Sequence, residues 1–469
     1  MTKKWKRADY NTYERILRDE SLPEDPISRQ LAEHSWRYRQ RTGPEHASNH
    51  ARALRDVALG VVAPTSIAFT LWILEDAAHR GIRRLYFLSR DGQITFHVAR
   101  LLTEALRRDI DLRYLYASRQ SWHRAIDEES INGWISDDVV AGVTTLADIA
   151  GRVGISGAEL KDLLNGVPPE TVAVSPDRGN TGALDALIGN PLFVERQRGL
   201  SFEHRTRLDR YFAQEGLYDE VPSGLVDLGW RGTLHETLCR HLGQRLHPPL
   251  QGYFFGLTRF QTRYSDCRRG FAFDECRGVP FPSSGPRRDL YVAMETFFAA
   301  DHGTVVDFRD VNGAVEPQLE ATWAPRVVSW GLPIVRDAVM DLASDLSLRS
   351  VTRHNIVTTT VPLKALREAF WNRPGRAEAK AWGAFPWDAG QGIETAITPL
   401  AESYSIHDCL QALKRPSIRK RLVFWTEGAL RMTPAPLRWL LLAGSRMRRW
   451  MRPLGRVGAT LGFRPKANT

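Results

Sequence analysis

The chain is poor in cysteine, and its few cysteines are badly spaced for metal chemistry. Four occur in 469 residues, Cys239, Cys267, Cys276 and Cys409, with no C-x-x-C among them. Cys267 and Cys276 lie nine apart with no paired histidines nearby, which argues against zinc and for free thiols in a reducing compartment. An uninterrupted apolar run of membrane-spanning length is also missing. The most apolar stretch, 58–74, contains Pro64, Thr65 and Ser66 and is flanked by Asp56, Glu75 and Asp76, so it reads as a buried helix. The first twenty residues pass from basic to mixed charge without an apolar segment, so a secretory signal is not expected and a cytoplasmic location is. Acidic residues are absent from 431–469, where nine Lys or Arg gather. The formal charge of +10 therefore belongs mainly to that tail, and the near-neutral remainder argues against a nucleic-acid-binding core. No internal repeat of fixed period or low-complexity tract is visible.

What is present is the material of a folded protein: 43% apolar residues, 25% charged residues well mixed, and 14 tryptophans, which together exclude widespread disorder. Residues 1–50 read as a polar N-terminal extension, helical in pieces. An α/β core spans 51–310. In it, "RRLYFLS" (83–89) is an apolar strand followed by a helix from about Gln93 to Arg107, and "DLRYLYAS" (111–118) is a second strand. Residues 120–220 lack strand rhythm and read as a helical insertion, with Thr145 and Ser156 as N-caps. "SGLVDLG" (223–229), a helix, and "PPLQGYFFGLT" (248–258) then resume the sheet. Beyond 290 a helix, a turn at Asp301–Gly303 and a short strand follow. Residues 311–430 read as a helical accessory region and 431–469 as a basic amphipathic tail. This order predicts a doubly wound, mostly parallel sheet, whose ligands bind at the carboxyl ends of the strands.

Three strand-to-helix turns fall at that edge. In the turn after 223–228, Gly229, Arg231, Gly232 and Thr233 can cradle an anion at a helix N-terminus, while Asp227 can accept from sugar hydroxyls or approach Mg²⁺. An ordinary tight turn is the alternative, since glycines there only need to permit the geometry. The earlier turn, Ser89-Arg90-Asp91-Gly92, offers backbone amides and Arg90 to a second phosphate and Asp91 to a metal, or is a solvated Asp-Gly turn. Ser118 and Arg119 follow the next strand. Three such turns at one sheet edge suggest a highly phosphorylated ligand. The tail sequence "PLRWLLLAGSRMRRWMRPLGR" mixes Leu, Trp and Met with Arg, which suits either an anionic membrane surface or a terminal helix packed on the body.

The order of these parts resembles a type I phosphoribosyltransferase. "FLSRDG" resembles its pyrophosphate loop and "LVDLGWRGTLHETL" its phosphoribosyl pyrophosphate motif, with Leu228 standing where that motif carries a second acid. A closer resemblance spans about 55–310: the phosphoribosyltransferase-like region of bacterial surface-polysaccharide (capsule and O-antigen) proteins, often found beside a haloacid-dehalogenase-like phosphatase. It rests on "FLSRDG", the "SR" at 118–119, "DLGWRGT" and "METFFAADHGTV". The resemblance implies transfer of a 5-phosphoribosyl group from phosphoribosyl pyrophosphate, with Mg²⁺, to a glycan acceptor that is lipid-linked where the tail meets a membrane. A separate phosphatase and glycosyltransferases would be partners. It implies that Asp227 and the turn Gly229-Trp230-Arg231-Gly232-Thr233 hold the ribose and its phosphate. Arg90 and Arg119 would hold the diphosphate, and Glu295 or His302 would deprotonate the acceptor. One alternative is a haloacid-dehalogenase-like phosphatase, which needs a D-x-D whose first position here is Ser89, a residue unable to form an aspartyl phosphate. Another is a non-catalytic phosphosugar-binding protein.

Overall fold

The computed structural model describes residues 10–22, 25–41, 48–119, 121–122, 145–152, 155–163, 182–243, 250–282, 287–346, 356, 359–388, 397–414 and 424–441. Its centre is a five-stranded, all-parallel sheet: β1 (Arg84–Leu88), β2 (Asp111–Leu115), β3 (Ser223–Trp230), β4 (Gln251–Leu257) and β5 (Arg268–Asp274), in the spatial order β2-β1-β3-β4-β5. The class is α/β, as the alternation of strands and helices predicts.

Strand side chains alternate between faces, and here both faces are apolar. Leu85 and Phe87 of β1 join one core with Val226, Tyr253 and Phe255, whereas Tyr86 and Leu88 join another with Leu115 and Leu225. The helix Gly92–Leu106, linking β1 to β2, covers the first face through Ile94, Val98 and Leu102. The helix Thr233–Leu242, linking β3 to β4, covers the second through Leu238 and Leu242. Right-handed crossovers that run outward in opposite directions must lie on opposite faces, so the chain reverses its winding between β1 and β3. That reversal leaves the turns after β1 and β3 side by side.

The first core extends well beyond the sheet. The 31-residue helical run Asn49–His79, with a π-helical step at Ala58–Val62, is long and apolar enough to cross a membrane, but its apolar window is wholly buried here, as the polar interruptions at 64–66 suggest. Leu17, Leu31 and Leu54 from the first sixty residues and Trp330, Phe370, Trp382 and Trp425 from the later helices enter the same cluster. Described residues of 1–50 and 311–430 thus pack around one core with the sheet, and Tyr13 Oη donates to Glu378 across it (2.8 Å).

Within 120–220, the helices Leu146–Arg152, Gly157–Leu163 and Gly182–Ile188 form a small cluster of their own, closed by Phe193. Ser156 caps the second, its hydroxyl accepting from Glu159 N–H (3.3 Å). The helix Pro191–Gln214 begins at that cluster with Phe193 and ends against the sheet with Leu208, Tyr211 and Phe212. After the turn at 301–303, β6 (Val305–Val311) pairs antiparallel with β7 (Ala314–Leu319) across Asn312-Gly313, both at positive φ. That pair is the favoured type of tight hairpin corner. Of the basic tail expected over 431–469, only residues up to 441 lie among those described; there Leu441 is buried in the first core with Leu437 and Leu440 packed against it, and the remainder of the amphipathic stretch falls outside the described residues.

Candidate active site at the carboxyl edge of the sheet

The turn after β1 is held by its serine. Ser89 Oγ donates to Ala117 O (2.8 Å) and accepts from Ala117 N–H (2.9 Å), locking the end of β1 to the segment after β2. Ser118 is likewise engaged, donating to Val305 O (2.6 Å) and accepting from Ser121 N–H (2.9 Å). Both hydroxyls shape the edge. Gly92 begins the next helix in tight quarters, because a Cβ there would come within 3.0 Å of the Phe87 backbone.

β3 runs through Trp230, so Gly229 and Trp230, expected in the turn, are strand residues paired with Gly256 and Leu257, and the turn proper begins at Arg231. Glycine is required at two positions here for distinct reasons. Gly229 has φ +137, and a Cβ would lie 2.3 Å from Gly256 O; Gly232 has φ +68 at the helix N-cap. Thr233 is the first residue of that helix, so the free N–H groups of its first turn face the edge. Trp230 stacks on Tyr291 (4.2 Å between centroids, 20°), and its Nε1–H donates to Glu295 Oε1 (3.3 Å). This draws the helix Arg287–Phe297 to the site. Arg231 is exposed, its guanidinium 4.5 Å from the Phe260 ring.

Asp91, Asp227 and Glu295 are half-buried at this edge and feel one another's charge. Burial pushes Asp91 up to about 7, aided by Asp227 and opposed by Arg90 and Arg119. Burial likewise pushes Asp227 up to about 7, with Glu295 adding to the rise. The Leu228 N–H, which donates to Asp227 Oδ1 at 2.8 Å, pulls the other way, as do Arg119 and the Gly229 N–H. Glu295 also reaches about 7, through burial and the Asp91 charge, against Trp230, Arg119 and Arg90. Three carboxyl groups poised near neutrality, with two arginines influencing them, have the electrostatics of an acid–base or anion-handling site. Leu228, by contrast, is buried in the apolar core of the opposite face.

No family model matches the chain, and no curated protein does. What the edge can do therefore rests on its own chemistry.

Both ring nitrogens of His302, expected as a substrate-binding residue or alternative base, are engaged within the protein. Its Nδ1–H donates to Gly303 O (2.8 Å), which leaves Nε2 to accept from Tyr114 Oη (2.6 Å). Burial lowers its pKa, and Arg90 and Arg336 add to that effect. Tyr114, Arg336 and Gln93 are edge residues without a sequence signal of their own. Arg336 pairs with Asp301 (2.7 Å) and Gln93 bonds Asp301 on both sides, joining the helix Leu332–Ser344 to the helix that follows β1. Arg90 is tied to a region that sequence spacing could not bring near it: Nη1 reaches Asp388 Oδ2 (3.2 Å), and its guanidinium lies 4.6 Å from the Trp323 ring.

Among the described residues, no group of three or more His, Cys, Asp or Glu is arranged to hold a metal ion. Asp91 and Asp227 are the expected pair for Mg²⁺. Two carboxylates suit an ion that brings the rest of its ligands as phosphate oxygens. The four cysteines are all free thiols, two of them buried.

Proposed function

We propose that the protein transfers a 5-phosphoribosyl group from phosphoribosyl pyrophosphate to a hydroxyl of a glycan acceptor in surface-polysaccharide synthesis, on a phosphoribosyltransferase-like sheet. One observation carries the reading most of the way. The turns after β1 and β3 meet at the winding reversal of a parallel sheet, and the acids and arginines on and beside them are electrostatically linked.

In this reading the anomeric C–O bond to diphosphate breaks, the acceptor oxygen bonds to the anomeric carbon, and the acceptor proton passes to Glu295. A carboxylate near neutrality is well matched to that proton transfer at cellular pH. Arg90 and Arg119 neutralise the departing diphosphate, and Asp227 accepts from the ribose hydroxyls. The 5-phosphate takes the N–H groups that open the helix Thr233–Leu242. Mg²⁺, when bound, would neutralise charge on the diphosphate, with Asp91 and Asp227 as its protein ligands. His302 positions Tyr114 beneath the turn after β1 while Glu295 serves as base. A lipid-linked acceptor, a partner phosphatase and a cytoplasmic, membrane-peripheral location complete the proposal.

The test is turnover. Phosphoribosyl pyrophosphate and Mg²⁺ are supplied with a panel of polysaccharide repeat-unit acceptors, and inorganic pyrophosphate is measured. Release that depends on acceptor and is lost in Glu295→Gln supports transfer. Binding without release under any acceptor supports a sensor instead, and phosphate release from sugar phosphates supports a hydrolase.

A further inference from the structure

We infer that Asp388 and Trp323, both in the region after β7, are positioning residues that orient Arg90 for the diphosphate; the inference rests on the proposed donor. The Asp388 side chain is 2% exposed and that of Arg90 24%, so the pair lies at the boundary between core and site. A carboxylate so buried is held firmly, and it engages one corner of the guanidinium, Nη1, at 3.2 Å. Trp323 covers the guanidinium at 4.6 Å, and its own Nε1–H donates to Pro386 O (2.9 Å), two residues before Asp388. Ring and carboxylate thus belong to one small frame, built where the helix Trp323–Trp330 meets the strand Pro386–Asp388.

Arginine has five donors in a rigid plane. With Nη1 committed to Asp388, the Nε and Nη2 hydrogens make no hydrogen bond among the described residues. A fixed guanidinium with two parallel donors left over matches a phosphate edge, and fixing it in advance removes the entropy cost of ordering a long side chain. Arg90 follows Ser89, whose hydroxyl already locks the turn. Backbone and side chain are therefore each held by a different part of the chain, 298 residues apart in the Arg90–Asp388 case.

The experiment is a set of separate calorimetric titrations of the full chain with inorganic pyrophosphate plus Mg²⁺, with phosphoribosyl pyrophosphate plus Mg²⁺, and with ribose 5-phosphate. It compares wild type, Asp388→Asn, Arg90→Ala and the double variant. Asp388→Asn is expected to weaken pyrophosphate about tenfold, to leave ribose 5-phosphate unchanged, and to add nothing in the Arg90→Ala background. A parallel loss of both ligands would show general damage and overturn the inference, as would additive losses or an unchanged pyrophosphate affinity. A wild type that binds phosphoribosyl pyrophosphate while Asp388→Asn matches it overturns the positioning role alone. A wild type that binds neither phosphoribosyl pyrophosphate nor pyrophosphate overturns the donor reading and this inference together.

Discussion

Trp230 Nε1–H donates to Glu295 Oε1 at 3.3 Å, joining the end of β3 to the helix Arg287–Phe297. The bond favours the ionised carboxylate, whereas burial and the Asp91 charge favour the neutral acid. Their balance near 7 suits the base role proposed for Glu295.

Trp230→Phe keeps the stacking on Tyr291 and removes the donor. With that donor gone, the Glu295 pKa rises further, and the ascending limb of the pH–rate profile moves to higher pH by roughly 0.5 unit. The limb is measured with saturating donor. A limb that stays in place, with Glu295→Gln still inactive, would mean that another group titrates there.

Asp227 also makes a claim about stability. Its pKa is about 7 in the fold against 3.8 ordinarily, so between about pH 4 and 7 the folded chain holds a proton that the unfolded chain releases. That contribution is fully present below pH 4 and is lost as pH rises through 7. Asp227→Asn keeps an oxygen acceptor for Leu228 N–H and removes the charge, so the variant should melt roughly 2 °C above wild type at pH 8. The gap should close near pH 4. A variant that melts lower at pH 8 would show that the carboxylate is stabilising, and that the site is less desolvated than its surroundings suggest.

Trp382 reports on domain organisation. It is fully buried among Phe297, Phe370 and Trp330, and its Nε1–H donates to Thr296 Oγ1 (3.0 Å). Trp382→Ala should cost about 3–5 kcal/mol. Because this residue shares a core with the sheet, the loss should lower one common transition followed both by tryptophan fluorescence and by far-UV circular dichroism. Two separated transitions would show that the later helices fold as an independent unit.

Much of this arrangement is legible in the sequence because its signals are local. β1 and β3 are short apolar runs followed by turns at Asp91-Gly92 and Arg231-Gly232, and the helices behind them carry the helical period. Glu295 stands out as the one charged residue in the mostly apolar second half of its helix, Leu290 to Phe297. β5 is harder to see, because "RRGFAFD" opens with two arginines and follows a 3₁₀ turn, where no helix marks the crossover. β7 had a usable signal in the Asn312-Gly313 pair. The contacts that complete the site had none. Nothing about Asp388 or Trp323 announces a partnership with Arg90, since packing of the later helices onto the core they share with the sheet makes that contact. His302 is visible as a histidine beside a glycine turn, but the commitment of both its nitrogens depends on Tyr114, 188 residues earlier.

The central claim is that one donor spans the turns after β1 and β3. Calorimetric titration of phosphoribosyl pyrophosphate with Mg²⁺ into wild type, Asp227→Ala and Arg90→Ala tests it most directly. The account predicts saturable binding by wild type and at least about tenfold weaker binding by each variant, with all three folded. A folded wild type that binds no phosphoribosyl pyrophosphate, or variants that bind it as well as wild type, would contradict the claim.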